Sequence, residues 1–264
     1  MNLFLRELKT YRKSIIFWSI GIILFMISGM TKYKATAANG QINNLFAEMP
    51  KSLQAIMGSG ALDLSKASGY FGILVLYLFL MATIHATMLG ANIIAKEERD
   101  KTAEFLFVKP LSRNKVISYK LLSAFVNILI FNLVTWVSSV IVVGKYSKGE
   151  DVNGDIAIVM LGMFILQLLF LVIGSSIAAS SKNSKKAASY ATGILLVTFI
   201  LSIAIDLNEK IEGLKYLTPF KYYEAKNIMY GGGFKISFLA ISIILIIVLT
   251  VITFFSYRNR DLRN

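Results

Sequence analysis

Hydrophobic residues along the chain are gathered into six long runs, and charged residues are concentrated between them. A helix needs roughly 20 residues to cross a hydrocarbon layer about 30 Å thick. Backbone polar groups in lipid must be satisfied within their own segment, so each run is predicted to be a transmembrane helix. The predicted spans are residues 14–30, 70–95, 117–143, 156–180, 187–206 and 237–256.

The composition is typical of a polytopic membrane protein. Of 264 residues, 56% are hydrophobic and 16% are charged, and the mean hydropathy is +0.64. The predicted fold class is therefore all-α, with a single transmembrane domain over residues 1–264. The chain has no cysteine, which excludes disulfide bonds and thiol chemistry.

Lysine and arginine residues indicate the orientation, because loops that are rich in them stay in the cytoplasm. Four segments on one side hold sixteen of these residues, while the three loops on the other side are longer in total and hold eleven. Both termini are therefore expected in the cytoplasm. The net charge of +13 fits contact with anionic membrane lipids, and no ordered basic and aromatic groove favours nucleic acid.

Residues 1–13 have an amphipathic pattern of their own. The apolar stripe consists of Met1, Phe4, Leu5, Leu8 and Tyr11. This pattern predicts an interfacial helix along the inner leaflet, before the chain turns into the bilayer at Ser14. A signal peptide is the alternative, since a basic start, an apolar run and the small residues at 35–37 imitate its three regions.

The densest charged run, residues 95–115, lies between the second and third spans. Thr102 is placed to cap a short helix over residues 103–108, since its hydroxyl can accept from the first-turn amides. Pro110 would end that helix, and Ser112 would cap the next one. The sequence therefore predicts a short cytoplasmic helix between two spans, which suits docking better than catalysis.

Three stretches resemble the ABC-2 type exporter permeases. In that family the charged run has an acidic pair, a Thr-x-Glu-apolar stretch and a Pro-x-Ser-Arg exit. The other two are the Met-Pro-x-x-Leu-x-x-x-Met-Gly core that starts at Met49 and the Pro219-Phe220 pair before the last span. The matching residues of the charged run are Glu97, Glu98, Thr102, Glu104, Pro110, Ser112 and Arg113.

The resemblance implies a permease that pairs with a second permease chain, identical or homologous, and with two separate ABC ATPase subunits. It implies export of a hydrophobic or amphipathic substrate, such as a peptide, an antibiotic or a lipid-like molecule, across a bacterial plasma membrane. The chain itself would hold no cofactor, and ATP and Mg²⁺ would bind to the ATPase.

The same resemblance implies that the charged run couples the ATPase to the spans. The expected docking residues are the polar Glu97, Glu98 and Glu104, the apolar Phe105, Leu106 and Val108, and Arg113 at the exit corner. This places the acidic pair at the aqueous surface. The alternative is that the acidic residues only solvate a loop and pair locally, as Glu97 and Lys101 can at four-residue spacing.

Polar residues within the spans are costly unless they face a neighbouring helix or a cavity. One face of the third span carries Asn127, Phe131, Thr135 and Ser138, and the fourth span carries Gln167. Two interpretations stay open. The side chains either make hydrogen bonds between helices, or they line a moderately polar translocation path.

Residues suited to catalysis are scarce. His85 is the single histidine and has no acidic residue or second histidine near it in sequence, so it is expected to be a packed side chain. No Gly-x-x-x-x-Gly-Lys-Ser/Thr phosphate loop occurs, so the chain is not expected to hydrolyse ATP. Two other classes of function stay open. One is a membrane scaffold or accessory subunit of an assembly machine, and the other is a membrane enzyme, which the absence of catalytic residues disfavours.

Overall fold

The computed structural model describes residues 3–37, 44, 46, 48–57, 62–102, 112–147 and 149–259, and all regular elements within these ranges are helices. The α-helices are α1 (Leu3–Ala37), α2 (Lys51–Met57), α3 (Ala67–Arg99), α4 (Arg113–Gly144), α5 (Asn153–Ser180), α6 (Ala187–Leu207), α7 (Ala225–Tyr230) and α8 (Ile236–Asn259). Two 3₁₀ helices, Glu209–Leu217 and Pro219–Tyr223, lie between α6 and α7.

The six predicted spans are confirmed as helices. In the part of the chain that the structure describes, α1, α3, α4, α5, α6 and α8 are long and apolar enough to cross a membrane. Each contains one of the six hydrophobic runs and extends beyond it at one end or both. The chain is therefore a multi-pass α-helical membrane protein.

The N-terminal segment differs from the prediction of a separate interfacial helix. Residues 3–13 form the first turns of α1, which continues without a break through Ser14 into the first span. No glycine or proline interrupts residues 3–20, so nothing in the sequence ends a helix there. The amphipathic pattern predicted the helical conformation of residues 3–13 correctly, but it could not show that this helix continues into the first span.

Helices α3 and α5 form the centre of the bundle, and most of their apolar residues are buried inside the chain. Two glycines allow the helices to approach closely where they cross. A Cβ atom at Gly174 would lie 2.3 Å from the carbonyl oxygen of Thr87, and one at Gly90 would lie 2.2 Å from that of Leu171. Small residues are the usual means by which membrane helices bring their backbones into contact.

Helices α1, α6 and α8 lie around this centre, and about a fifth of each hydrophobic stretch is buried inside the chain. Phe17, Ile200 and Phe255, for example, are each more than half exposed. In a bilayer such side chains contact lipid, whose tails are as apolar as they are. The exposed apolar surface of the chain is thus the surface that a membrane protein requires.

The segment between α6 and α8 is folded onto the bundle by aromatic residues and an ion cluster. The phenol group of Tyr223 is 2.7 Å from the hydroxyl of Ser242 on α8, and both side chains are buried. Lys221 is 2.6 Å from Asp206 at the end of α6 and also pairs with Glu224. Burial alone would lower the pKa of Lys226, but the nearby carboxylates of Glu224 and Asp206 outweigh it and raise that pKa.

Candidate functional site

The last turn of α3 ends in a Schellman motif. The backbone N–H of Thr102 donates to the carbonyl of Glu97 at 2.7 Å, and that of Lys101 donates to the carbonyl of Glu98 at 3.2 Å. Lys101 has a left-handed backbone with φ of 55°. This pair of hydrogen bonds satisfies carbonyls that the helix end would leave open, and it turns the chain sharply away from the helix axis.

Helix α4 begins at a cap that the sequence predicted. The Ser112 hydroxyl accepts from the backbone N–H of Lys115 at 3.4 Å, which confirms Ser112 as the N-cap. Arg113 follows, and its guanidinium donates to the carbonyl of Arg258 in the last turn of α8 at 2.9 Å. The start of α4 is therefore tied to the end of the last span.

The predicted helix over residues 103–108 lies outside the described residues, and so do Glu104, Phe105, Leu106, Val108 and Pro110. Thr102 is described and is exposed, with its hydroxyl oxygen 3.5 Å from the carbonyl oxygen of Glu97. The coupling roles of Thr102 and of the residues outside the described ranges stay predictions. What the structure does give is the geometry of the two helix ends on either side of the segment.

Glu97 is not at the aqueous surface, and that part of the prediction is wrong. Its side chain is only 7% exposed, and one carboxylate oxygen is 2.5 Å from the Nζ atom of Lys120 on α4. The same Nζ atom donates to the backbone carbonyl of Ile93 on α3, also at 2.5 Å. Glu97 therefore pairs across to the next helix and not with Lys101 on the following turn.

The start of α1 completes an ion cluster of five side chains, Arg6, Glu7, Lys96, Glu97 and Lys120. Arg6 lies 3.7 Å from the second carboxylate oxygen of Glu97 and 3.1 Å from Glu7. Lys96 lies 3.6 Å from the other oxygen of Glu7, which is fully buried. Three cations thus surround two carboxylates at the place where the ends of α1, α3 and α4 meet.

Lys120 was not predicted as a site residue, although the sequence carried a signal for it. A lysine inside an apolar run is costly unless it has a partner, so its presence in the third run called for an acid nearby. Glu97 is the acid, because the end of α3 packs beside the start of α4. Breaking such a buried pair by removing one partner leaves an uncompensated charge, which is strongly destabilising.

The polar residues of the third span are buried within the single chain. Asn127, Thr135 and Ser138 each donate to a carbonyl three or four residues earlier in α4. Gln167 accepts from the side chain of Asn132 at 3.3 Å, so it does link α5 to α4. Gln167 thus makes the expected hydrogen bond between helices, whereas Asn127, Thr135 and Ser138 bond within their own helix. A role in translocation stays a prediction.

His85 is a packed side chain, as predicted. It is 2% exposed and lies between the rings of Trp18 and Phe131, at centroid distances of 5.7 and 4.8 Å. Its neighbours are thus aromatic rings from α1 and α4. Among the described residues no group of three histidine or acidic side chains could hold a metal ion.

An apolar groove of about 630 Å³ opens on the side of the bundle between α4 and α5. Its walls include Leu133 and Trp136 from α4 and Ile158 and Leu161 from α5, and they also include Phe234, which comes just before α8 in the chain. Asn132 is a polar member of the lining, and its amide donates inward to the carbonyl of Met160 at 3.1 Å.

The fold defines a multi-pass membrane protein with six candidate spanning helices among the described residues, two of which, α3 and α4, meet at an ion cluster. The chain belongs to the ABC-2 family of transporter proteins, whose family model matches residues 1–262. Members are transmembrane permeases that are not themselves ATPases, and they generally work with an ABC ATPase and often form dimers. A comparison with curated proteins finds no match.

Proposed function

We propose that this chain is the permease subunit of an ATP-driven exporter and that segment 103–111 is its docking element for a separate ATPase. The observation that carries the proposal is the junction of α3 and α4. A Schellman turn ends one helix and a serine cap begins the next, so the segment between them leaves and re-enters the bundle at defined points.

The residue types in the segment support docking to a protein. Glu98 and Glu104 would make polar contacts with the ATPase, and Phe105, Leu106 and Val108 would enter an apolar cleft on it. Glu97 is assigned to the interior of the permease instead. ATP and Mg²⁺ would bind to the partner, and this chain would hydrolyse no ATP by itself.

The proposed cargo is hydrophobic or amphipathic, exported across a bacterial plasma membrane with both termini of the chain in the cytoplasm. The apolar groove between α4 and α5 and the buried, internally bonded polar residues of α4 support this class of cargo over a strongly charged ion. A second permease chain would complete the path.

The test is capture of the ATPase subunit by tagged permease, comparing the natural chain with the Phe105→Asp variant. A carboxylate forced into an apolar cleft without a partner costs roughly 2 kcal/mol or more, which is more than tenfold in affinity. We expect the variant to fold with an unchanged melting temperature and to bind little of the ATPase subunit. Substrate-stimulated ATP hydrolysis by the ATPase should be lost with the binding.

The matched control is Lys145→Ala, which removes an exposed lysine after α4 at the opposite end of the helix. It should bind the ATPase like the natural chain. Equal binding by Phe105→Asp and by the control would show that the segment is only a solvated loop. Failure of the natural chain to capture any ATPase would favour the scaffold class.

A further inference from the structure

The five-residue ion cluster lies where the end of α3 and the start of α4 meet, and these are the two helices that flank the proposed docking segment in the chain. Glu97 is in the last turn of α3 and Lys120 is about two turns into α4, so the pair joins the two helices from which the segment extends. Arg6 and Glu7 bring the first turn of α1 to the same place. The permease family assignment gives these residues no role.

We infer that Glu97 and Lys120 are positioning residues that hold the ends of α3 and α4 at a fixed distance and register, so that movement of the docking segment is passed to the spans. The consequence for transport rests on the proposed function. The positioning itself is a property of this chain alone and can be measured on it.

The contacts of Lys120 fix register as well as proximity. Its Nζ atom bonds both the carboxylate of Glu97 and the backbone carbonyl of Ile93, each at 2.5 Å. Ile93 lies one helical turn before Glu97 on α3, so Lys120 contacts two successive turns of that helix. A shift of α4 along α3 would therefore break at least one of the two contacts. Because Lys120 is fully buried, a bond lost there would leave a buried charge without its partner, which is costly.

Positioning accounts for the cluster better than stability does. A buried ion pair often contributes no more to stability than well-packed apolar side chains of similar volume, because desolvation of the charges offsets their attraction. Apolar side chains would, however, bind neither a carbonyl nor a carboxylate at a set point. The directional bonds are what an ion pair adds at this junction.

The experiment compares the natural chain with the double variant Glu97→Leu with Lys120→Met. This variant removes both charges of the pair together, and Arg6 keeps Glu7 as its partner at 3.1 Å. Since the chain has no cysteine, single cysteines can be introduced and spin-labelled in pairs without a background. One label pair is placed at the exposed Asp100 and Asn114, on either side of the docking segment. The control pair is Lys66 and Lys145, at the opposite ends of the same two helices.

The readout is the distribution of distances between the two spin labels, measured by double electron–electron resonance. The chain is studied alone in lipid nanodiscs, and variants are compared with the natural chain at matched melting temperature. We expect the distribution between Asp100 and Asn114 to become about twofold wider in the double variant, because each helix end can then open locally. The distribution between Lys66 and Lys145 should not change. A second variant, Glu97→Met with Lys120→Leu, also removes both charges and the directional bonds and should broaden the same distribution.

Natural widths at both label pairs in either correctly folded variant would overturn the inference and leave the cluster as a structural contact only. A final arm adds the ATPase with ATP and vanadate. We expect the Asp100–Asn114 distance to shift in the natural chain and to stay unshifted in the double variant, although both bind the ATPase equally. If the natural chain binds no ATPase, the proposed function fails, while the distances on the chain alone still decide the positioning role.

Discussion

Gly174 is a residue at which the packing of the bundle tolerates little change. Its Cα faces the backbone of α3, and a Cβ there would lie 2.3 Å from the carbonyl oxygen of Thr87, which is far inside van der Waals contact. The obstructing atom belongs to a helix backbone and not to the end of a flexible side chain. The two central helices would have to move apart to admit a methyl group.

We therefore expect Gly174→Ala to destabilise the protein by about 1–3 kcal/mol, the usual range for overpacking a filled interior. Thermal unfolding in detergent measures it. The control is Gly193→Ala on α6, where no atom lies within 4 Å of the added Cβ, and helix propensity should make this change neutral or slightly stabilising. Equal melting temperatures for the two variants would contradict the close crossing of α3 and α5.

At the scale of elements, the segment between α6 and α8 depends on a few buried contacts because its 3₁₀ helices are short. The Tyr223 phenol reaches the Ser242 hydroxyl on α8 at 2.7 Å, and Phe220 packs between Phe170 and Phe199. Such contacts replace the long apolar face that a spanning helix would offer. They hold the segment against α5, α6 and α8.

The Tyr223→Phe variant should lose about 1 kcal/mol of stability, because the hydroxyl of Ser242 is then left buried without this partner. Limited proteolysis of the segment and thermal unfolding both measure the effect. Tyr216→Phe is the matched control, since its ring is half exposed, and it should change stability by about 0.5 kcal/mol or less. A loss of the same size in the control would argue against the buried hydrogen bond.

At the scale of the whole molecule, the prediction that can be tested first is the orientation of the six spans. Single cysteines at Asn44, Gly149 and Glu212 should react with an impermeant reagent from outside the cell. Cysteines at Arg99, Asn183 and Asn259 should react only after the membrane is opened. The reason is the excess of lysine and arginine in the second group of segments. Labelling in the reverse pattern would show that the orientation is the opposite of the predicted one, with the proposed docking segment outside the cell.

Local sequence patterns determined the spans and one boundary of the candidate site. Uninterrupted apolar runs predicted six helices because a backbone in lipid has to satisfy its own hydrogen bonds, whatever surrounds it. Ser112 was predicted as a cap because a serine before a helix bonds an amide only three residues away. The same reasoning found the helical character of residues 3–13, but not their continuity with the first span.

Tertiary structure alone decided what the charged residues do. An acidic pair in a run of charges is typical of a solvated surface, and by sequence Glu97 had Lys101 as its nearest suitable partner. Its actual partner, Lys120, lies on the next helix, and Arg6 comes from the start of the chain. The physical reason is that a charge is assigned to water or to an ion pair by what surrounds it in space, and contacts between distant segments exist only once the helices have packed.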